Sequence, residues 1–449
     1  MSTLMVSVSG IRGIVGNGLA PDVISKYSSA YADLIQKGKI ILGTDGRISG
    51  NMVKHIVIGT LLAKGLDVID IGIVPTPTVL FNIKNLKASG GIQISASHNP
   101  NEWNALKLMN QNGEFLSPEE NKIMLSKLES ASTNYSAWNK LGKYEFYKNG
   151  LNDHIKAVLK TPFTDVKKIR KRKFKVLLDC VNGAGSYSMP KFLEKLGCDV
   201  IKINCDKTGI FPRLPEPIPS NLKSTMKAVK ESGAEIGIVV DPDVDRLVLI
   251  TEQGQPFSEE NTIAQAVKFY LSKQKGSVVA NLSTTRAVED ITNELGGTFY
   301  HSPVGEANVV KKMKEVKAII GGEGSGGVIL PAVNFGRDAL VGTIIMLQHL
   351  LEFNGTMSQL KNSLPKYFIV KNKIELGEKN PDFIIGRLIE KYKNERINTE
   401  DGLRIDFENH WVQFRKSNTE PIVRCMVEAK SLRLALSLSK KYLEEIKSI

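Results

Sequence analysis

Three aspartates alternate in Asp241-Pro242-Asp243-Val244-Asp245-Arg246, between apolar runs at 236–240 and 247–250. Carboxylates so close repel one another unless a cation neutralises them, and hard oxygen ligands select Mg²⁺ or Ca²⁺. The calcium-binding helix–loop–helix is the nearest rival, because Glu252 falls at its twelfth position. Arg246 stands where that loop requires glycine, however, and the flanks read as strands. The spacing points to one Mg²⁺ per chain held by Asp241, Asp243 and Asp245, against the plainer alternative of an acidic surface turn.

Three other stretches carry reactive or binding groups. Ser95-Ala96-Ser97-His98-Asn99-Pro100 sets a hydroxyl beside an imidazole in an Asn-Pro turn, which reads as a reactive loop or as an ordinary turn. With no Gly-x-Ser-x-Gly elbow and no acidic partner identifiable for His98, a serine hydrolase is excluded. The loop Gly321 to Gly327 is neither a Walker loop nor a dinucleotide fingerprint; its Glu323 and Ser325 suit vicinal sugar hydroxyls, or the loop is a structural turn. Finally, the loop from Arg415 to Arg424 combines two guanidinium groups with Ser417, Asn418 and Thr419, the donors a phosphate dianion needs, or is a charged turn paired to Glu420. A hydroxyl nucleophile, a carboxylate trio, a polyol loop and a phosphate clamp together suit phosphoryl transfer to and from a sugar.

The elements that deliver these loops repeat. Residues 39–49 read as a buried strand and a polar turn; a helix over 52–66 and a strand over 68–73 follow, then another helix and a strand over 91–94 that delivers Ser97. The order restarts at 174–179 and, after a helix over 222–232, ends with the strand 236–240 before Asp241. A third copy runs from 277–281 to 318–320 and delivers the glycine-rich loop. Strand–helix alternation predicts α/β layers whose ligands gather beyond the carboxyl ends of parallel strands, and the domain-sized period rules out a solenoid. Beyond residue 366 the pattern changes to antiparallel strands at 371–376, 403–407 and 410–414 and an amphipathic helix at 431–446, a smaller α+β domain. The expected domains are 1–155, 156–255, 256–366 and 367–449.

A chain of 449 residues with 42% hydrophobic and 24% charged residues is that of a folded protein with several cores. Its net charge of +13 favours anionic partners, whether nucleic acid, an acidic membrane surface or phosphorylated metabolites. The basic run 167–175 lacks interleaved aromatic residues and reads as a solvated linker. A basic nucleic-acid-binding protein is thus the remote alternative, which would show tight oligonucleotide binding with a steep salt slope. Four cysteines without C-x-x-C spacing, no secretory-type leader and no run near the ~18 apolar residues of a membrane span lead us to expect a cytoplasmic protein with no membrane and no nucleic-acid partner. Trp103 reads as loop packing, and His55, His154, His301, His349 and His410 as structural or surface residues.

In order along the chain, the serine loop, the Asp-x-Asp-x-Asp-Arg loop, the Gly322 to Gly327 loop and the Arg415 to Arg424 loop resemble the four signature loops of the α-D-phosphohexomutases, and Ser9-Gly10-Ile11-Arg12-Gly13 is similar to that family's N-terminal Gly-Ile-Arg-Gly segment. The resemblance implies four domains around one central cleft, and a monomer or homodimer acting on a sugar phosphate. It also implies that Ser97 carries the transferable phosphoryl group as phosphoserine. Mg²⁺ would bridge Ser97 to Asp241, Asp243 and Asp245, and a hexose 1,6-bisphosphate would serve as intermediate and activator. By the same resemblance Arg12, His98, Lys107 and Arg246 position the hydroxyl, move its proton and stabilise the transferring group. Glu323 and Ser325 would bind the sugar, and Arg415, Ser417, Asn418, Thr419 and Arg424 the idle phosphate. Two departures stand out: Ala105 replaces a common glycine in Asn104-Ala105-Leu106-Lys107, and Ser325-Gly326-Gly327 ends in glycine where well-studied bacterial members have histidine. The glycine-rich version is similar to archaeal-type members, which implies glucosamine phosphate as the substrate, with a phosphoglucomutase/phosphomannomutase as the alternative.

Overall fold

The computed structural model describes residues 2–7, 10–129, 134–376, 379–416 and 422–449. It divides into two compact units, Met1–Thr262 with Gly326–Lys361, and Ile263–Ser325 with Asn362–Ile449.

The first unit holds two sheets. In the larger, the strands run in the order Met5–Ser7, Gly10–Val15, Trp103–Asn110, Gly90–Ile94, Lys39–Thr44, Asp67–Ile73 and Tyr144–Phe146, with Gly18–Leu19 beside Gly10–Val15. Gly90–Ile94 and Asp67–Ile73 flank Lys39–Thr44 in parallel, as strand–helix alternation requires, and the helices Gly50–Ala63 and Thr76–Asn85 pack on these strands. Ile40, Leu42, Val68, Ile92 and Ile94 are fully buried in one core with Val53, Val57 and Leu61 of the helix. Each such side chain contributes on the order of 1.5–3 kcal/mol of transfer free energy.

The N-terminal strands and Trp103–Asn110 lack the strand–helix pattern and were not expected. Trp103 accordingly opens a strand rather than packing a loop. That strand runs antiparallel to both neighbours, and its pairing of Arg12 with Ala105 and of Gln93 with Lys107 brings three distant segments into register. Gly10 is required here: its φ is +117°, and a Cβ would sit 2.3 Å from the Leu106 carbonyl oxygen.

In the second sheet Asp199–Ile203, Lys175–Asp179 and Ile236–Val240 are parallel, and Leu247–Thr251 returns antiparallel to Ile236–Val240. Val240 pairs with Leu247, so Asp241 to Arg246 is the connection of a tight hairpin. Both of its strands are buried throughout, which anchors the acidic connection on rigid backbone.

The basic run is not a linker. Val166–Arg172 is a helix capped by the Asp165 side chain, which accepts from the Lys168 amide, and it ends at Lys173 with φ +52°. Only Ile169 of this helix is buried; Arg170, Lys171 and Arg172 fill its last turn, where cations meet the negative end of the helix dipole.

In the second unit, Ser277–Asn281 lies between the parallel strands Thr298–Ser302 and Ile320–Glu323. A five-stranded antiparallel sheet follows, in the order Phe368–Glu375, Ile422–Ala429, His410–Lys416, Leu403–Asp406 and Arg396–Asn398. Pro381–Tyr392 and Leu432–Ser448 pack on it over Ile384, Leu388, Leu403, Ile405, Phe414, Val423 and Tyr442. The expected loop from Arg415 to Arg424 is shorter than its polarity suggests, because Arg415 and Arg424 face each other as a cross-strand pair.

Candidate active site

Ser97 follows the parallel strand Gly90–Ile94 with φ +49°, a conformation that non-glycine residues seldom adopt. The Ser95 hydroxyl accepts from the Ser97 amide at 2.9 Å. The loop is held chiefly by Arg47, which is 3% exposed. Its guanidinium donates to the carbonyls of Ser97 at 2.6 Å, Asn99 at 2.7 Å, Pro100 at 2.6 Å and Trp103 at 3.1 Å, while Nε pairs with Asp45 Oδ2 at 2.9 Å. Burial pushes the Asp45 carboxyl up, against the pull of Arg47.

The Ser97 hydroxyl donates to Asp241 Oδ2 at 3.0 Å, which joins the serine loop to the acidic hairpin. Within that hairpin Val244 takes φ +60°, a rare conformation for a β-branched residue. One oxygen of each of Asp241, Asp243 and Asp245 lies within 4.8 Å of the others, and all three residues are fully buried. Asp241 Oδ1 accepts from the Arg246 amide at 3.2 Å. Asp243 Oδ2 accepts from Lys107 Nζ at 2.6 Å and from the Thr76 hydroxyl, and Asp245 Oδ2 accepts from Arg337 Nη2 at 2.7 Å. Asp243 Oδ1 and Asp245 Oδ1, by contrast, are buried without a hydrogen-bond partner, and only Asp245 Oδ1 has a cation near it, Arg246 Nε at 3.8 Å. Orphaned anionic oxygens in a dry site are costly unless a cation meets them, so this trio can hold a hard divalent metal.

Electrostatics separates the three carboxyls. Burial and then repulsion from Asp245 and Asp243 push Asp241 well above the usual carboxylate range. Burial would also raise Asp243, but Lys107 more than offsets it and carries that carboxyl below the usual range. Asp243 and Asp245 likewise outweigh burial at Lys107, which stays an ammonium. His98 is lowered well below its ordinary value by burial and then by Arg246 and Arg12, so its ring is neutral at pH 7. Its Nδ1 lies 3.4 Å from Ser97 Oγ, and Arg12 Nη1 lies 3.4 Å from Asn99 Oδ1.

The first unit thus brings Arg12, Ser97, His98, Lys107, Arg246 and the three aspartates to one place. In the second unit Glu323 Oε1 accepts from Asn281 Nδ2 at 2.7 Å and from the Gly305 amide at 3.1 Å. The neighbouring Val304 amide donates to Asp401 Oδ2 at 2.9 Å, and Arg415 Nε pairs with Asp401 Oδ1 at 2.8 Å, so Asp401 links the glutamate's loop to the arginine. Ser325 lies in the loop after Ile320–Glu323, and Arg424 is an exposed residue of Ile422–Ala429. Ser417, Asn418 and Thr419 lie outside the described residues. Sequence reasoning missed Asp45, Arg47, Thr76, Arg337 and Asp401. Strand-end polar turns at Thr44-Asp45-Gly46-Arg47 and Pro75-Thr76-Pro77 mark three of them; no local pattern singles out Arg337 or Asp401.

Among the described residues no helix is long and apolar enough to cross a membrane. Residues 4–134, 152–254 and 259–368 match alpha/beta/alpha domains I, II and III of the phosphoglucomutase/phosphomannomutase family, and 373–444 match its C-terminal domain. The chain is 36% identical over 448 residues to a phosphoglucomutase/phosphomannomutase of Thermococcus kodakarensis, covering 97% of each chain. It is 34% identical to a probable phosphoglucosamine mutase of Pyrococcus horikoshii, covering 98% of this chain and 97% of that one. A crystal structure of a phosphoglucomutase/phosphomannomutase family protein from Burkholderia thailandensis superposes with a TM-score of 0.86 at 25% identity, over 99% of this chain and 98% of the other. Four domain matches in order and full-length relatives place the chain in the α-D-phosphohexomutase family, isomerases that move a phosphoryl group within a hexose phosphate.

Proposed function

We propose that this phosphohexomutase interconverts glucosamine 6-phosphate and glucosamine 1-phosphate through a phosphoserine at Ser97 and a 1,6-bisphosphate that turns over between two half-reactions. The observation that carries the serine assignment is the 3.0 Å contact of its hydroxyl with Asp241, beside two buried aspartate oxygens that accept no hydrogen bond. Mg²⁺, held by Asp241, Asp243, Asp245 and the group on Ser97, would supply countercharge to the phosphoryl oxygens.

The chain's own residues do the rest. Lys107 and Arg246 stabilise the charge spread over the transferring group, where fixed cations cost no reorganisation. His98, neutral and beside Ser97, can accept the proton of the attacking hydroxyl, and Arg12 orients that hydroxyl. Glu323 and Ser325 bind sugar hydroxyls. Arg415, Ser417, Asn418, Thr419 and Arg424 take the phosphate that is not reacting, at whichever end it lies. The division into domains 1–155, 156–255, 256–366 and 367–449, a monomeric or homodimeric state and a cytoplasmic location belong to the same reading.

Glucosamine is favoured by the glycine-rich loop Glu323-Gly324-Ser325-Gly326-Gly327 and by the relative named as a phosphoglucosamine mutase. The relative named as a phosphoglucomutase/phosphomannomutase favours the second reading, glucose or mannose phosphate. Glucosamine, glucose and mannose 6-phosphates offered in parallel, each with Mg²⁺ and its matching bisphosphate, decide between them. We expect kcat/KM to be highest for glucosamine 6-phosphate; faster turnover of glucose or mannose phosphate would establish the second reading instead.

A further inference from the structure

The aspartate trio presents single oxygens. Asp243 has Oδ2 tied by Lys107 and Thr76, and Asp245 has Oδ2 tied by Arg337 at 2.7 Å, with Lys107 Nζ farther off at 3.5 Å; the Oδ1 of each accepts no hydrogen bond, and Asp245 Oδ1 has only Arg246 Nε at 3.8 Å. The tie on Asp245 comes from a segment strapped to the hairpin by backbone: the Ala339 amide donates to the Val244 carbonyl at 3.2 Å, the Asp338 amide donates to the Val328 carbonyl at 2.9 Å, and Arg337 bridges Ile329. Asp338 is buried and pairs with the buried His154 at 2.8 Å, so Arg337 projects from a rigid base.

The path of the Arg337 side chain explains Gly327. A Cβ at 327 would lie 2.2 Å from Arg337 Cδ and 2.8 Å from Cγ, whereas the backbone of Gly327 does not fall in the left-handed region. Glycine is needed there to make room for the arginine stem and not for conformational freedom. A side chain at 327 therefore requires the Arg337 stem to shift from this placement.

We propose that Arg337 is a positioning residue that sets the metal preference of the site. By occupying Asp245 Oδ2 it leaves that carboxylate one oxygen to offer. A small octahedral ion such as Mg²⁺ accepts this, whereas Ca²⁺, with its larger and more flexible shell, gains from carboxylates that use both oxygens. Outer-shell partners of metal ligands typically change metal affinity by 10–100-fold when removed.

The inference rests on the reading of the trio as the metal site. Calorimetric binding of Mg²⁺ and Ca²⁺ to the purified full chain tests the two separately. In Arg337→Met the ratio of Mg²⁺ to Ca²⁺ affinity should fall by about tenfold, and Arg337→Lys, which keeps one donor, should restore part of it. Gly327→Ala should reproduce the fall by displacing the arginine stem. It should add nothing on top of Arg337→Ala, which removes Cγ and Cδ and leaves the Cβ contact at 3.4 Å. A role in folding alone would lower the unfolding temperature without moving the ratio. A ratio that stays within about twofold of wild type in Arg337→Met and Gly327→Ala overturns the proposal, with Arg337→Ala standing in if the methionine variant does not fold. Asp243→Asn is the control for the underlying reading: loss of binding supports the trio, and wild-type binding removes both the trio and this inference.

Discussion

Replacing Arg47 by methionine tests how the reactive loop is held. The wild-type guanidinium satisfies four backbone carbonyls across residues 97 to 103 and neutralises Asp45, and it packs over the Phe211 ring at 4.7 Å. Methionine keeps the apolar stem and removes every donor. Hydrogen bonds to a charged group contribute about 1.5–3 kcal/mol each, but they are not additive, and water entering a relaxed loop recovers part of the loss. Breaking a buried pair costs about 3–5 kcal/mol, which we take as the expected loss in stability. A shift of the Ser97 loop on the order of 1 Å would lower kcat by roughly 100-fold. Adding Asp45→Asn removes the lone buried carboxylate and should return about 1–3 kcal/mol without restoring turnover, because the four carbonyls still lack their donor. Burial already holds the Asp45 carboxyl up, so in Arg47→Met it takes a proton readily. A raised folded-state pKa stabilises below the unfolded value and loses that contribution as pH rises, so the deficit should be smaller at about pH 5 than at about pH 8. Urea unfolding and a coupled mutase assay measure the two effects. A variant less than about 1 kcal/mol below wild type, with kcat within about twofold, would refute the view that Arg47 holds the loop.

Ser97→Ala should abolish turnover and lack the single phosphoryl mass expected on the intact wild-type protein; wild-type turnover in this variant would sink the assigned nucleophile. Acid should destabilise the second unit from an unusually high pH. Burial, followed by Arg404, pushes His301 down to about 3, and neither of its ring nitrogens has a hydrogen-bond partner. The ring is neutral in the fold but protonates on unfolding below about 6.5, so stability is complete above that pH and falls until about pH 3. At about pH 4 the loss reaches roughly 3.5 kcal/mol, at about 1.4 kcal/mol for each pH unit below 6.5. Thermal midpoints across this range should fall in wild type and flatten in His301→Leu; parallel curves for the two proteins would contradict the assignment.

What the sequence made legible was local. Asp241, Asp243 and Asp245 sit in one six-residue hairpin connection between two fully buried strands, so their alternation survives folding as a cluster of carboxylates. Ser97 ends a run whose apolar residues mark a buried parallel strand, and the three rounds of strand–helix alternation marked the α/β layers. Where local polarity conflicted with pairing, pairing won. Most of the run at 167–175 lies in the capped helix Val166–Arg172 despite its charge, Trp103 joins a strand between two partners, and Arg415 and Arg424 belong to paired strands. Contacts between remote segments had no signature in the chain. Ser97 meets Asp241 across 144 residues, Lys107 meets Asp243 across 136, and Arg337 meets Asp245 across 92. Arg47 looks like any polar turn residue until burial surrounds it with carbonyls that need a donor. Residue types and short-range spacing prescribe the chemistry a loop can do, because the groups concerned are held by their own strand or hairpin. The partners that orient those groups are brought in by sheet order and packing, and these depend on the long-range burial of apolar surface, which no short stretch of sequence displays.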